Sequence, residues 1–291
     1  MLAVLAVPAA SLARFMMTNA AGRITVVKDE DGAESTVYWR DYPGVAGLDP
    51  DEILHGPTAE EGYAAGKEMI AEIRAALAEE LELEWAPEAA GQDDVDPFHE
   101  RTQNYFGGES LLTVINALPS QSTGVPTTWA GKQRALDIIG GILGRHGYSA
   151  PVLDHYDLWT DEDRVRELGG ATQETQVIVS GSAQGPAGQW LSFMFQDLSK
   201  DTEGRFEKRL RPPFGSGGPL DTLRISYGAN GLLHVSDRDE FKNRLKPFAG
   251  LAPPPPLGSW FRKTPKGCAA RPALWRRRTS GHPRQAYAAR C

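Results

Sequence analysis

The sequence predicts an α+β fold: an antiparallel sheet with two or three helices packed on one face. Two stretches carry apolar residues at helical spacing. Several short runs rich in β-branched or aromatic residues are separated by Gly, Pro, Asn and Asp turn signals. Strands and helices do not alternate regularly, and no repeat recurs at a period of 20–50 residues.

In chain order, Arg23–Val27 and Ser35–Trp39 read as strands of a hairpin turning at Asp31-Gly32. "DYPGVAGLDPDEILHGP" reads as a loop. A helix then opens at Thr58, because "TAEE" places Glu61 three residues after a capping threonine. Tyr63, Ile70, Ile73, Leu77 and Leu81 form its apolar stripe. "WAPEAAGQDDVDPFHERTQNYFGG" is a long polar excursion, and Ser110–Leu118 a strand rising out of it. Thr128 caps a second helix with Trp129, Leu136, Ile139 and Leu143 inward. Arg145 and His146 suit its C-terminal dipole, and Gly147 a left-handed C′ position. Val152–Tyr156, Thr175–Ser182 and Trp190–Phe195 read as strands, and "TDEDRVREL" as a helical turn. "DTLRISYGANGLLHVS" reads as two strands about Asn230-Gly231. A last helix begins at Ser236 and Asp237, with Phe241, Leu245 and Phe248 inward. The helices around Ile70–Leu81 and Leu136–Leu143 each have one apolar stripe, so both should cover one sheet face.

Composition narrows the function classes. At 291 residues, 41% hydrophobic and 24% charged, the chain is ordinary for a globular protein and long enough to bury about 70% of its unfolded surface. The net charge is −7, but nine basic and no acidic residues follow Pro256, which leaves −16 on Met1–Pro256. That balance argues against a nucleic-acid partner. Both cysteines, Cys268 and Cys291, lie in the basic tail, so the body has no disulfide, thiolate metal site or cysteine nucleophile.

The organisation expected is an apolar segment over residues 1–22, an α+β domain over 23–250, and a Pro-rich linker with a disordered basic tail over 251–291. "MLAVLAVPAASLARFMMTNAAG" has no charged side chain before Arg14. Ser11-Leu12-Ala13 suits a signal cleavage site, although a basic n-region is missing. The stretch reads as an apolar helix of a signal or membrane anchor, complete or truncated, that makes the membrane a partner. The competing reading is a buried first helix of a cytosolic domain. In the tail, "APPPP" stops regular structure, and Arg276–Arg278 near Trp260, Phe261 and Trp275 fit no single period.

Candidate chemistry is sparse. "DDVDPFHE" gathers Asp93, Asp94, Asp96, His99 and Glu100, a donor set for a hard cation in principle, but without the glycine and glutamate positions of an EF-hand. It reads as a solvated acidic loop. "DHYDLWTDEDR" offers Asp154, His155, Asp157, Asp161 and Asp163; Asp154 could orient a histidine for general-base work, but Asp154 and His155 would face opposite sides of a strand. These too read as surface residues. "GGILGRHG" lies in a helix, where Gly140 and Gly144 suit close packing and not a phosphate loop. "GSAQG" puts Ser182 second, so it is no nucleophile elbow. Trp190, Phe193 and Phe195 read as core. No catalytic, cofactor-binding or metal residue is assigned, and no cofactor is expected.

"AEELELEW" closing an amphipathic helix, then a strand, then a helix ending on "GRHGYSAPVL", resembles the layout of small actinobacterial cell-envelope lipoproteins of the LppA type across about Thr58–Ser182. Those proteins carry a lipidated cysteine after the signal, and here no cysteine precedes Cys268. The resemblance thus implies an exported domain without a lipid anchor, and it transfers no functional residue. The reading that follows is a non-enzymatic cell-envelope protein displaying its α+β domain outside the cytoplasm. The alternative is a cytosolic enzyme or ligand-binding domain whose site is assembled from dispersed residues.

Overall fold

The structure, a computed structural model, describes residues 23–28, 31–87, 96–99, 101–211 and 219–257. Its elements are β1 (Ile24–Lys28), β2 (Glu34–Tyr38), α1 (Pro50–His55), α2 (Ala59–Leu81), β3 (Phe98–His99), β4 (Leu112–Asn116), β5 (Ser120–Gln121), α3 (Trp129–Arg145), β6 (Val152–Leu153), α4 (Asp161–Leu168), β7 (Ile178–Gln184), β8 (Gln189–Gln196), α5 (Arg205–Leu210), β9 (Thr222–Leu233) and α6 (Arg238–Leu245). The α+β class with an antiparallel sheet holds. Strands run in the order β3-β4-β9-β8-β7-β6, with β5 also on β9, and every pairing is antiparallel. The hairpin β1-β2 forms a separate two-stranded sheet.

Helices α2 and α3 cover one face. Met69, Ile73 and Leu77 of α2 and Ile139, Ile142 and Leu143 of α3 pack with Phe193, Phe195, Leu223, Ile225 and Tyr227 from the central strands. Phe193 and Phe195 are thus core residues. Trp190 lies on the opposite face, against Gly228, where a Cβ would overlap its ring. The cap at Thr58 is a full box: Glu61 N–H donates to Thr58 Oγ1 at 3.1 Å, and Thr58 N–H donates to the Glu61 carboxylate at 2.8 Å. At the other helix, Gly147 takes φ +77 after the last turn, as the sequence predicts.

The inward stripe of α2 differs from the one expected. Its buried positions are Ala59, Gly62, Gly66, Met69, Ile73 and Leu77, while Tyr63, Ile70 and Leu81 sit on its margin. Gly62 and Gly66 let the Tyr227 ring lie flush against the helix, with the Tyr227 hydroxyl donating to Gly62 O at 2.5 Å. A Cβ on Gly66 would overlap that ring.

Two further corrections concern local signals. Asn230-Gly231 does not turn a hairpin; β9 runs through it. Val114 pairs with Asn230 and Thr113 with Leu232, so Gly231, at φ +98, is the extra residue of a β-bulge. The pairing of β4 with Gly228–Leu233, on both sides of Asn230-Gly231, outweighs the two-residue turn preference. The stretch before Thr58 is not all loop, since Asp49 caps α1 by accepting from Asp51 N–H, with Pro50 in its first turn.

The membrane expectation is also corrected. Among the described residues no helix is long and apolar enough to cross a membrane. The longest, α2, has Glu60, Glu61, Lys67, Glu68, Glu72, Arg74, Glu79 and Glu80 around its single buried stripe. This overturns the expected transmembrane helix and the membrane partner held through it, and no observation supports a signal or an envelope location. The segment 1–22 itself, and the basic tail from residue 258 with both cysteines, lie outside the described residues.

Candidate functional site

A cleft of about 160 Å³ opens between α2 and the strands beneath it. Its helix side carries Tyr63, Lys67, Ile70 and Arg74; Asn116 of β4, Ser120 of β5 and Leu118 between them face these, and Ile225 and Tyr227 of β9 form the floor. Helical geometry explains the first group. Residues 63, 67, 70 and 74 step by four, three and four, so they form one column on α2 beside the buried glycine stripe. The strand side is fixed by Ala117 N–H donating to Tyr227 O at 3.0 Å and Asn116 N–H donating to Pro97 O at 3.1 Å.

The charges of α2 are sorted by face. Glu72 binds Arg145 and, at 3.0 Å, His146 of the α3 terminus, and Glu80 binds Arg134 of α3. Hydrogen bonds from Arg145, then His146, hold the Glu72 carboxyl below its ordinary value. The cations Lys67 and Arg74 lie on the cleft side instead. Lys67 Nζ sits 5.9 Å from the centre of the Tyr63 ring, and the Arg74 guanidinium 5.5 Å from that of Trp85. Trp85 Nε1–H donates to Arg74 O at 3.0 Å, which ties the start of the segment after α2 back to the helix.

Beneath, burial pushes the Tyr227 hydroxyl up to about 12, with the neighbouring Tyr63 adding to the shift. It therefore stays neutral and keeps donating to Gly62 O at ordinary pH. Tyr63 packs edge-on to Phe98 at 5.8 Å, and Phe98 to His234 at 4.9 Å. His234 Nδ1 lies 2.7 Å from the Glu60 carboxylate, which also accepts from Val235 N–H at 3.2 Å. Burial opposes ionisation of Glu60, but the bonds from His234 and the Val235 backbone outweigh it and keep the carboxyl below its ordinary value.

The residues singled out in the sequence are placed elsewhere. Asp96 accepts from Phe98 N–H at 2.9 Å, a local turn contact, and His99 lies on β3. Asp93, Asp94 and Glu100 lie outside the described residues. Among the described residues no group of three or more His, Cys, Asp or Glu side chains could hold a metal ion. Asp154 does not orient His155. It accepts instead from the Ser180 hydroxyl at 2.7 Å, while His155 lies 3.4 Å from the Gln173 amide. Asp161 and Asp163 pair with Arg164 and Arg166 of α4. Ser182 sits inside β7, opposite Ser192. Gly140 lies close to Pro151, as packing requires, but Gly144 has nothing within 4 Å of a Cβ.

Of the cleft residues on α2, Tyr63 and Ile70 were visible in the sequence only as part of a supposed core stripe, and Lys67 and Arg74 only as part of its charged face. The signal that separates them is the Gly62-Gly66 pair, which marks the tight face of α2 and moves Tyr63 and Ile70 to its edge. Comparison of the chain with known protein families, curated proteins and solved structures finds no match. The resemblance to LppA-type lipoproteins therefore rests on the order of elements alone.

Proposed function

We propose that this protein is a non-catalytic binding module, that the α2 cleft is its site, and that the ligand is a small apolar group. One observation carries the reading: an aromatic and aliphatic floor lies open between α2 and the strands, with the polar side chains of Lys67, Arg74, Asn116 and Ser120 around it. The group would rest on Ile70, Leu118 and Ile225. At about 160 Å³ the cleft falls below the roughly 300–1,000 Å³ of sites for drug-sized molecules, so it suits a side chain or a fragment and not a nucleotide. This reading develops the dispersed-site alternative, since the residues come from α2, β4, β5 and β9.

Calorimetric titration of the full chain with phenylpropionate and phenylpropanol tests it. Both should bind with a dissociation constant on the order of 1 mM, since the cleft holds the phenyl group they share. Binding of neither would contradict the reading.

A further inference from the structure

Alternate residues of β9, β8, β7 and β6 point away from α2 and α3, and strand pairing sets them in rows across the sheet. One row is Ser226, Ser192, Ser182 and Val152. In the next, Arg224 pairs with Met194 and Met194 with Ser180, and Asp154 N–H, just past β6, donates to Ser180 O at 2.9 Å. All these side chains are half-buried or exposed, and Val152 is 60% exposed. The serines are small, which keeps the middle of this face low. The charges stand at the two ends of the second row. Arg224 donates to Gln121 Oε1 at 3.1 Å, and Asp154 accepts from the Ser180 hydroxyl at 2.7 Å and the Tyr156 hydroxyl at 3.5 Å. These partners are neutral, and both groups keep further donor or acceptor sites. Within one chain the two charges are three strand steps apart, roughly 14 Å at about 4.8 Å a step, too far to pair.

We infer that two copies of this chain pack these faces together about a two-fold axis parallel to the strands, with Arg224 of each copy pairing with Asp154 of the other. An axis midway between β8 and β7 exchanges the line of β9 with that of β6 and keeps each row in place. Arg224 then stands over Asp154 twice, Met194 over Ser180, Ser192 over Ser182, and Ser226 over Val152. A two-fold axis across the strands would instead set Arg224 over its own strand, at Gly228, and pair no charges. The charge pattern of the row is thus complementary to itself in one arrangement. That contact is isologous and closes as a dimer. Sheets packed face to face with nearly aligned strands lie about 10 Å apart, which low serine side chains allow. Two rows across four strands make a small patch, so the dimer is a weak one. The α2 cleft opens on the other face of the sheet, and the inference does not depend on it.

Sedimentation velocity on the full chain, from micromolar to several hundred micromolar, tests this. The average mass should rise with concentration toward that of two copies and stop there. Arg224→Asp and Asp154→Arg should each stay monomeric, because like charges then face each other at both ends of the row. The decisive sample is an equal mixture of these two variants. In the mixed pair every cation again faces a carboxylate, so the mixture should dimerise as the wild type does. Should Asp154→Arg misfold by circular dichroism, Ser192→Glu takes its place as a monomeric variant, since it puts a charge at the middle of the face and leaves the Asp154 bonds intact. A wild-type chain that stays monomeric, or whose mass climbs past two copies, would overturn the inference. So would folded single variants that associate as the wild type does, or a mixture of folded charge variants that stays monomeric.

Discussion

Lys132 and Asp197 are the only oppositely charged pair among the described residues with both side chains essentially inaccessible, 1% and 0% exposed. Lys132 Nζ donates to Asp197 Oδ2 at 2.6 Å, and Asp197 Oδ1 accepts from Ser199 N–H and from the Ser199 hydroxyl. The pair fastens the first turn of α3 to the end of β8. Lys132→Met should cost about 3–5 kcal/mol by urea denaturation, because it leaves a buried carboxylate without its cation. Adding Asp197→Asn should recover part of that loss. Glu60 gives a pH prediction. Its folded carboxyl titrates below the ordinary 4.5, so the unfolded chain takes up the proton first on acidification. The stability from its bonds to His234 and Val235 is present above about pH 4.5 and is lost as pH falls through the folded value. Glu60→Gln should therefore lose less stability than the wild type between neutral pH and the acid range. Of these contacts only local ones were legible beforehand. The Thr58–Glu61 box spans three residues and can be read from "TAEE"; Lys132–Asp197 spans 65, and in sequence Lys132 is one more polar residue on a helix.

Packing between elements turns on where α2 meets the sheet. Ile73 of α2 and Ile139 of α3 are both fully buried, and replacing either by Ala should cost about 2–5 kcal/mol in the same assay. Gly66→Ala adds one methyl group where the Tyr227 ring already lies, and should also destabilise, by about 1–3 kcal/mol. In an exposed helix position the same change would stabilise, so the sign of the effect tests the placement. The existence of both helices and most strands was legible because hydrophobic period and caps are local properties. The inward face of α2 was not, because a glycine contributes no hydrophobicity, yet a large ring packs best against it. The Asn230-Gly231 bulge escaped for a similar reason. A left-handed glycine serves a tight turn and a bulge alike, and only the partner strand β4 decides between them.

At the scale of the molecule, three clusters of buried apolar side chains hold the parts together: the sheet and helix core, a cluster of Val45, Leu111, Leu112, Leu233 and Phe241 beneath α1 and α6, and an aromatic cluster beneath the hairpin. In the last, Trp39, Tyr42, Phe106 and Phe248 meet with ring centres 5.1–5.8 Å apart. Asn104, fully buried, links it to the body. Its amide donates to Trp39, Arg40 and Tyr42 carbonyls, and its carbonyl accepts from Phe106 and Gly108 N–H groups. Asn104→Ala leaves several of these buried groups unsatisfied at about 1–3 kcal/mol each, so it should loosen the hairpin and raise amide exchange across β1 and β2. Beyond Phe248, Leu251 packs on this cluster and Leu257 N–H donates to Tyr105 O at 2.6 Å.

The central claim is that the α2 cleft is a binding site for a small apolar group. An amide chemical-shift titration of the full chain with phenylpropionate tests it most directly, since it reports where the ligand sits as well as whether it binds. The predicted result is a saturable set of shifts confined to Tyr63–Arg74, Asn116–Ser120 and Ile225–Tyr227, lost in Ala71→Trp, which fills the cleft from an exposed helix position, while that variant's remaining spectrum stays that of the folded protein. Shifts centred elsewhere, or shifts unchanged in Ala71→Trp, would contradict it.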